Sequence, residues 1–197
     1  MRIIVVGATG TIGKAIVAAL GRNHEVLAVS RNSKIRVDMS DPESIRNMYR
    51  TVGRIDAVIS AAGQARFKPL AQLTNDDFQF SLDNKLMGQV NLVRFGMDAM
   101  SDRGSFTLTS GVLARTPMKG SGAISLVNAG LEGFVRAAAL EAPRGIRVNI
   151  VSPPWIIDTL RALGMDPSGG ITPEAAAKLY VESLMGDQTG VVLEAKF

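Results

Sequence analysis

The chain begins with a strand, three evenly spaced glycines and a helix, and this order limits the possible folds more than any other feature. Residues 2–6 contain an unbroken β-branched run at 3–6, which predicts a strand that is buried on both faces. Gly7, Gly10 and Gly13 follow, and after them apolar residues recur at helical spacing. Glycines let the backbone turn and a ligand approach, and a helix N-terminus presents free N–H groups to a phosphate. This stretch therefore predicts a dinucleotide-binding turn, with an ordinary tight strand-to-helix turn as the alternative.

The rest of the chain alternates predicted strands with predicted helices. The further strands cover residues 25–29, 34–37, 55–60, 104–109, 146–151 and 190–195, and the further helices cover 42–50, 76–101, 123–142 and 173–185. Alternation of this kind predicts right-handed crossovers and an α/β fold, a doubly wound parallel sheet with helices on both faces (a Rossmann fold). Because no linker or shift in composition divides the chain, we expect residues 1–197 to form a single dinucleotide-binding domain.

Composition excludes several classes of site and partner. The chain has no cysteine and one histidine, so disulfides, metal sites and a Ser–His–Asp triad are not expected. Its net charge of +4 comes from scattered basic residues, which predicts no nucleic-acid partner. No leader-like segment opens the sequence, and no apolar run approaches the length of about 20 residues that a membrane-spanning helix needs. We therefore expect a cytoplasmic protein with no membrane contact.

In sheets of this kind the ligand lies beyond the carboxyl ends of the strands, where the strand order reverses. The strand ends therefore supply the candidate cofactor-binding residues. They are Gly7, Thr9, Gly10, Thr11, Ile12, Gly13, Ser30, Arg31, Asp38, Met39, Ala61, Ala62, Gly63, Pro153 and Thr159.

The residues after the second strand bear on the choice between NAD and NADP. Folds that prefer NAD place an acid there to bond the ribose hydroxyls, whereas this chain has Ser30 and Arg31. A guanidinium pairs with a 2′-phosphate in a planar fork, and a serine hydroxyl adds a hydrogen bond. The pattern predicts NADP, with a solvated surface arginine as the alternative. Asp38 either reaches the adenine edge or serves as a turn residue.

Taken in order, the motifs resemble those of the short-chain dehydrogenase/reductase family over nearly the whole chain. They read GATGTIG, VDMSD, SAAG, DNKLMG, FTLTSG, RGIRVNIVSPP, EAAAKLY and TGVVLEA. The resemblance implies hydride transfer between a nicotinamide cofactor and a small carbonyl or alcohol substrate. It places Asn84 at the active-site asparagine and Ser110 at the active-site serine, with Gly111 competing for that serine position. It also implies a homodimer or homotetramer that pairs through helices 76–101 and 123–142.

The resemblance fails at the family's Tyr-x-x-x-Lys pair, in which the lysine lowers the pKa of a proton-donating tyrosine. Those two positions fall on Ile124 and Asn128, and residues 120–142 contain no tyrosine or lysine. Ser110, Asn84 and Asn128 remain to orient a carbonyl as the candidate catalytic residues. Lys119 is the replacement cation that we consider, with an exposed loop lysine as the alternative. Trp155 lines the substrate pocket or packs within its own loop.

Two functions are compatible with these residues. The first is an NADP-dependent oxidoreductase with an atypical active site, acting on a small carbonyl or alcohol. The second is a catalytically degenerate NADP(H)-binding protein with a sensing, regulatory or interaction role. Resemblance favours the first, and the replacements at Ile124 and Asn128 favour the second.

Overall fold

A computed structural model describes residues 1–195 and contains a seven-stranded sheet. Its strands are β1 (Arg2–Val6), β2 (Glu25–Ser30), β3 (Ile35–Arg36), β4 (Ile55–Ser60), β5 (Met100–Thr109), β6 (Arg147–Val151) and β7 (Val192–Leu193). They lie in the order β3-β2-β1-β4-β5-β6-β7, and every neighbouring pair is parallel. The chain winds outwards from β1 in both directions, so the order reverses between β1 and β4. The predicted doubly wound sheet is confirmed.

Helices cover both faces of this sheet. They are α1 (Thr11–Leu20), α2 (Pro42–Val52), α3 (Asn75–Ser81), α4 (Gly88–Gly96), α5 (Gly122–Glu141), α6 (Ile157–Ala162) and α7 (Pro173–Met185). Successive side chains of a strand point to opposite faces, so β1 contributes to two cores. Ile4 packs with residues of α2, α4 and α5, whereas Ile3 and Val5 pack with residues of α1 and α7. This double burial explains why β1 reads as an unbroken apolar run.

The helix predicted over residues 76–101 is shorter and less regular than expected. A capping box between Thr74 and Asp77 begins α3, and a π-helical segment, Leu82–Met87, joins α3 to α4. The last of these helices, α4, ends at Gly96. The predicted helix cannot continue to residue 101, because Met100 already belongs to β5 and pairs with Ile55 of β4. The prediction missed this boundary because the pairing depends on β4, which is distant in sequence.

The twenty-residue helix α5 is apolar on two sides. Val127, Leu131 and Val135 are fully buried against the sheet, as in a core helix. Leu126 and Leu140 lie on the outside, where 47% and 89% of their surfaces are exposed. With a mean hydropathy of 1.3, α5 is long and apolar enough to cross a membrane by length and composition alone. The expectation that no apolar stretch reaches this length is therefore wrong, although the buried face accounts for much of the apolar character.

Candidate functional site

The turn between β1 and α1 forms a close-packed backbone cradle. Gly7 has φ +82°, a conformation that favours glycine, and its N–H donates to the Val29 carbonyl over 2.9 Å. A Cβ placed on Gly13 would lie 2.0 Å from the Gly7 carbonyl oxygen, so α1 packs directly against the turn. The first turn of α1 carries no acidic residue, and Gly10 supplies no side-chain cap. Its free N–H groups are therefore available to an anion.

A cavity of about 320 Å³ opens beside this turn, and we call it the glycine-turn cavity. Its walls come from the carboxyl ends of β1, β2 and β4 and from the residues after β3. The structure brings together here ten of the predicted cofactor residues: Gly7, Thr9, Gly10, Ser30, Arg31, Asp38, Met39, Ala61, Ala62 and Gly63. Thr11 is exposed at the start of α1 and does not line it.

Arg31 and Asp38 border the same side of the glycine-turn cavity. Asp38 Oδ1 accepts hydrogen bonds from the Ser40 hydroxyl over 2.7 Å and the Ser40 N–H over 2.9 Å. These bonds hold the pKa of Asp38 below its ordinary value, and the charge of Arg31 lowers it further. Asp38 is therefore a turn residue that also faces the cavity. Arg31 is exposed, so its guanidinium is accessible to a ligand.

A second cavity, of about 370 Å³, adjoins the first across Ala61, Ala62 and Gly63, which line both. We call it the lysine cavity, after the buried Lys85 in its wall. Most of its lining is apolar, including Phe67, Leu113, Ile124, Pro154, Trp155 and Leu163. It also contains the predicted residues Ile12, Ser110, Asn128, Pro153 and Thr159. Trp155 thus lines the pocket, and its backbone carbonyl accepts from Ile171 N–H within its own loop.

The three predicted catalytic residues do not share one cavity. Asn84 lines the glycine-turn cavity, where its Oδ1 accepts from the Gln64 N–H over 2.6 Å. Ser110 lines the lysine cavity, but its hydroxyl donates to Glu132 Oε1 over 3.1 Å. A serine hydroxyl has one hydrogen, so in this arrangement Ser110 has none for a carbonyl. The structure thus corrects two expectations. Asn84 and Ser110 do not line the same cavity, and the Ser110 hydroxyl points to Glu132 and not to a substrate carbonyl.

Asn128 lies in the lysine cavity with an unused acceptor. It is 1% exposed, and its Oδ1 has no hydrogen-bond partner in the described chain. A buried polar atom without a partner is costly, so this oxygen is suited to accept a hydrogen bond from a ligand. Gly111 borders it, since a Cβ on Gly111 would lie 3.3 Å from Asn128 Nδ2. Ile124 lines the same cavity, at the position where the family resemblance places tyrosine.

Lys85 is the functional candidate that the sequence reasoning missed. It lies in the π-helical segment, is 9% exposed, and donates from Nζ to the Ser110 carbonyl oxygen over 3.1 Å. Burial lowers its pKa to about 8. Lys119, the replacement cation considered from the sequence, is exposed and does not line the cavity. A signal for Lys85 did exist, because it follows Phe78 by seven residues and so falls on the apolar stripe of the predicted helix.

Both tyrosines of the chain are buried away from the lysine cavity. Tyr180 is fully buried, and its hydroxyl lies 2.7 Å from Thr109 Oγ1. Tyr49 donates its hydroxyl to the Leu92 carbonyl over 2.6 Å. Burial raises the pKa of each phenol above its ordinary value. Neither tyrosine therefore substitutes for the missing one on α5.

Comparison with known proteins relates the whole chain to reductases and dehydrogenases. A family model described as enoyl-(acyl carrier protein) reductase matches residues 6–189. The 3-oxoacyl-(acyl-carrier-protein) reductase FabG of Salmonella typhimurium is 28% identical over 198 residues, covering 88% of this chain and 81% of that protein.

Solved structures agree with this relationship. The crystal structure of the protein lin1944 from Listeria innocua has a TM-score of 0.96 at 36% identity, with 100% of both chains covered. A small-chain dehydrogenase solved in complex with NADPH has a TM-score of 0.88 at 25% identity, covering 100% of this chain and 96% of that one.

Proposed function

Because the chain belongs to the short-chain dehydrogenase/reductase family, we propose that it is an NADP-dependent oxidoreductase that interconverts a small carbonyl compound and its alcohol. One observation carries the proposal above all. The glycine-turn cavity and the lysine cavity meet at Ala61, Ala62 and Gly63, so a dinucleotide in the first cavity reaches a small apolar chamber in the second. A single domain over residues 1–197 and a cytoplasmic location belong to the same proposal.

The residues of the glycine-turn cavity fit a phosphorylated dinucleotide. The free N–H groups at the start of α1 would hold the pyrophosphate, since Gly7 and Gly13 bring the helix close to the turn. Ser30 and Arg31 would hold the 2′-phosphate, and Asp38 and Met39 lie where the adenine would be. The NADPH bound to a solved relative at 25% identity supports NADP over NAD.

The lysine cavity would hold the substrate beside the nicotinamide, which supplies the hydride when the cofactor is bound. Asn128 Oδ1, which has no partner in the described chain, would accept a hydrogen bond from the nicotinamide ribose. Ile124, Trp155 and Leu163 give the cavity apolar walls that exclude water. Its volume of about 370 Å³ restricts the substrate to a small molecule.

A second function, an NADP(H)-binding sensor without turnover, is favoured by one observation. Neither Ile124 nor Gly111 offers a hydroxyl at the lysine cavity, and the Ser110 hydroxyl is bonded to Glu132. Fluorescence titration with NADPH and NADH, followed by a carbonyl panel monitored at the nicotinamide absorbance, separates the two functions. The oxidoreductase proposal requires preferential NADPH binding and consumption of NADPH with at least one carbonyl. Tight NADPH binding without turnover across the panel supports the sensor.

We also propose that two copies of the chain pair through the outer face of α5. Leu126 and Leu140 are exposed there, with Ala129, Gly130, Gly133 and Ala137 between them. Small residues let a second helix approach closely, and burying the leucines removes apolar surface from water. This supports the homodimer or homotetramer expected from the family resemblance.

A further inference from the structure

We propose that the side-chain ammonium of Lys85 is the proton donor to the carbonyl oxygen of the substrate. This assignment rests on the proposed carbonyl reduction. It gives the proton-donating role to the π-helical segment Leu82–Met87, and not to α5, where Ile124 and Asn128 occupy the two expected positions.

Backbone geometry brings the Lys85 side chain into the cavity. The π-helical segment Leu82–Met87 carries it, and π-helical turns are frequent at functional sites. Its stem lies against the loop after β4, because a Cβ on Gly63 would come within 2.9 Å of Lys85 Cγ. Nζ then lies 3.1 Å from the Ser110 carbonyl oxygen at the end of β5. The ammonium is therefore held between the loop that borders the cofactor and the wall of the substrate cavity.

Among the described residues that line this cavity, Lys85 is the only one with an ionisable side chain. The nearest acid on α5, Glu132, accepts from the Ser110 hydroxyl and pairs with Arg115 and Arg136. Asp83, on the segment that carries Lys85, accepts from Gln79.

Tyr180 does not line the cavity, but its phenol lies behind Thr109, which does. Within residues 1–195 no carboxylate forms a salt bridge with Lys85, and its one hydrogen bond goes to the Ser110 carbonyl. An ammonium has three N–H donors, so two remain for a ligand. Burial without a paired charge also explains why the pKa of Lys85 falls to about 8.

The reaction balances with this single donor. In reduction, the carbonyl carbon receives a hydride from the reduced nicotinamide cofactor, and the C=O π electrons move to oxygen. The oxygen takes a proton from the Lys85 ammonium, which leaves a neutral amine and an alcohol. Solvent then returns the proton to the amine. In alcohol oxidation the neutral amine accepts the hydroxyl proton, so the two directions require opposite protonation states of Lys85.

Turnover of two variants tests the assignment. Lys85→Gln and Lys85→Met should lower kcat for carbonyl reduction by about 100-fold or more, with NADPH affinity within about threefold of wild type. The wild-type kcat for reduction should fall as pH rises through about 8, and the kcat for oxidation should rise. Lys119→Gln, which changes an exposed lysine outside the cavity, is the matched control and should behave as wild type. A folded Lys85 variant that keeps both turnover and the pH profile overturns the assignment but leaves the oxidoreductase proposal intact.

A titration that needs no turnover provides the second readout. Lysines are methylated with ¹³C-formaldehyde, and the Lys85 signal is assigned by its absence from Lys85→Gln, or from Lys85→Met should the first variant fail to fold. Its midpoint should lie near 8, with the Lys119 signal as the internal control for an exposed lysine. A Lys85 midpoint at or above 10 overturns the assignment. Failure of the oxidoreductase proposal is recognised separately, as the absence of carbonyl turnover by wild-type protein with NADPH bound. That result overturns the oxidoreductase proposal and the Lys85 assignment together.

Discussion

The Ser110 hydroxyl donates its hydrogen to Glu132 Oε1 over 3.1 Å, which bonds the end of β5 to the middle of α5. Glu132 is 4% exposed and also pairs with Arg115, so the bond belongs to a buried charged group. Hydrogen bonds to charged groups are among the stronger ones in proteins. The Ser110 hydroxyl therefore stabilises the packing of α5 against β5. The presence of a serine at this position does not by itself identify a catalytic hydroxyl.

Ser110→Ala should lower the free energy of unfolding by about 1.5–3 kcal/mol, because Glu132 loses a buried donor. Carbonyl turnover should stay within about threefold of wild type. Urea denaturation and kcat measure the two effects. Ser125→Ala is the control, because the Ser125 hydroxyl donates to an uncharged group, Ser121 Oγ. This substitution should lower the free energy of unfolding by about 0.5–1.5 kcal/mol. A 100-fold loss of kcat at unchanged stability would instead return Ser110 to the catalytic residues.

Arg31→Ala should weaken NADPH binding by about 10- to 100-fold and leave NADH binding nearly unchanged. The guanidinium lines the glycine-turn cavity, and in our proposal it would form charge-assisted hydrogen bonds with the 2′-phosphate, which NADH lacks. Fluorescence titration of both nucleotides measures the ratio. Arg36→Ala changes an exposed arginine outside this cavity and should leave both affinities as they are. Equal losses for NADPH and NADH would contradict the 2′-phosphate assignment.

Gly13→Ala should abolish NADPH binding and destabilise the fold, because the new Cβ would lie 2.0 Å from the Gly7 carbonyl oxygen. That neighbour is backbone, so the helix must move away from the turn. Gly169→Ala, in open space between α6 and α7 and away from the proposed pairing face, should instead raise the free energy of unfolding by about 0.4–1 kcal/mol. Urea denaturation and NADPH fluorescence distinguish these results. Normal NADPH affinity in Gly13→Ala would show that the cradle is not the phosphate site.

Lys85→Met should stabilise the protein at pH 7, and the gain should shrink as pH rises. The pKa of Lys85 is about 8 in the folded chain and about 10.4 for an unperturbed lysine, so the unfolded chain binds more protons between these values. Below pH 8 the buried charge therefore lowers the free energy of unfolding by on the order of 3 kcal/mol. This loss becomes smaller as pH rises towards about 10.4.

Urea denaturation of wild type and variant at pH 7, 8.5 and 10 measures this difference. Lys119→Met, at an exposed position, is the matched control. A stability gain for Lys85→Met that does not change with pH would mean that Lys85 titrates at its ordinary value.

Leu126→Glu should convert the proposed dimer into a monomer, because it places a carboxylate on the apolar outer face of α5. Light scattering coupled to size-exclusion chromatography measures the mass. Met185→Glu changes a residue that is 63% exposed on α7 and should leave the mass unchanged. A wild-type protein that already runs as a monomer would refute pairing through α5.

Local chemistry was enough to predict much of the fold. The predicted bounds of β1, β4 and α7 agree with the structure, because an apolar run or a proline-led cap defines each end. α2 begins at Pro42 as predicted, because Asp41 caps it by accepting from the Glu43 N–H over 2.9 Å. The ends of β5 and of the helix before it were missed, since they depend on pairing between Met100 and Ile55, 45 positions apart in the chain.

The candidate site was less predictable than the fold. Most of the predicted strand-end residues lie around two adjoining cavities, because parallel strands bring their carboxyl ends to one edge. The direction of the Ser110 hydroxyl depends on Glu132, a partner on another element, and could not be read from local sequence. Lys85 was missed because its place on the apolar stripe, seven residues after Phe78, was overlooked, and no local pattern marks the π-helical segment that carries it.

The π-helical segment makes the chemistry of this pocket sensitive to insertions and deletions as well as to substitutions. A π turn holds one residue more than an α turn, and each residue advances an α-helix by about 100°. Removing one residue between Lys85 and Gly88 would bring Asn84 to the position that faces Ser110, with α4 and the strands otherwise in place. Related chains that differ in length at this point would then hold different groups in the same chamber, a route to new reactivity that alignment by residue identity alone would overlook.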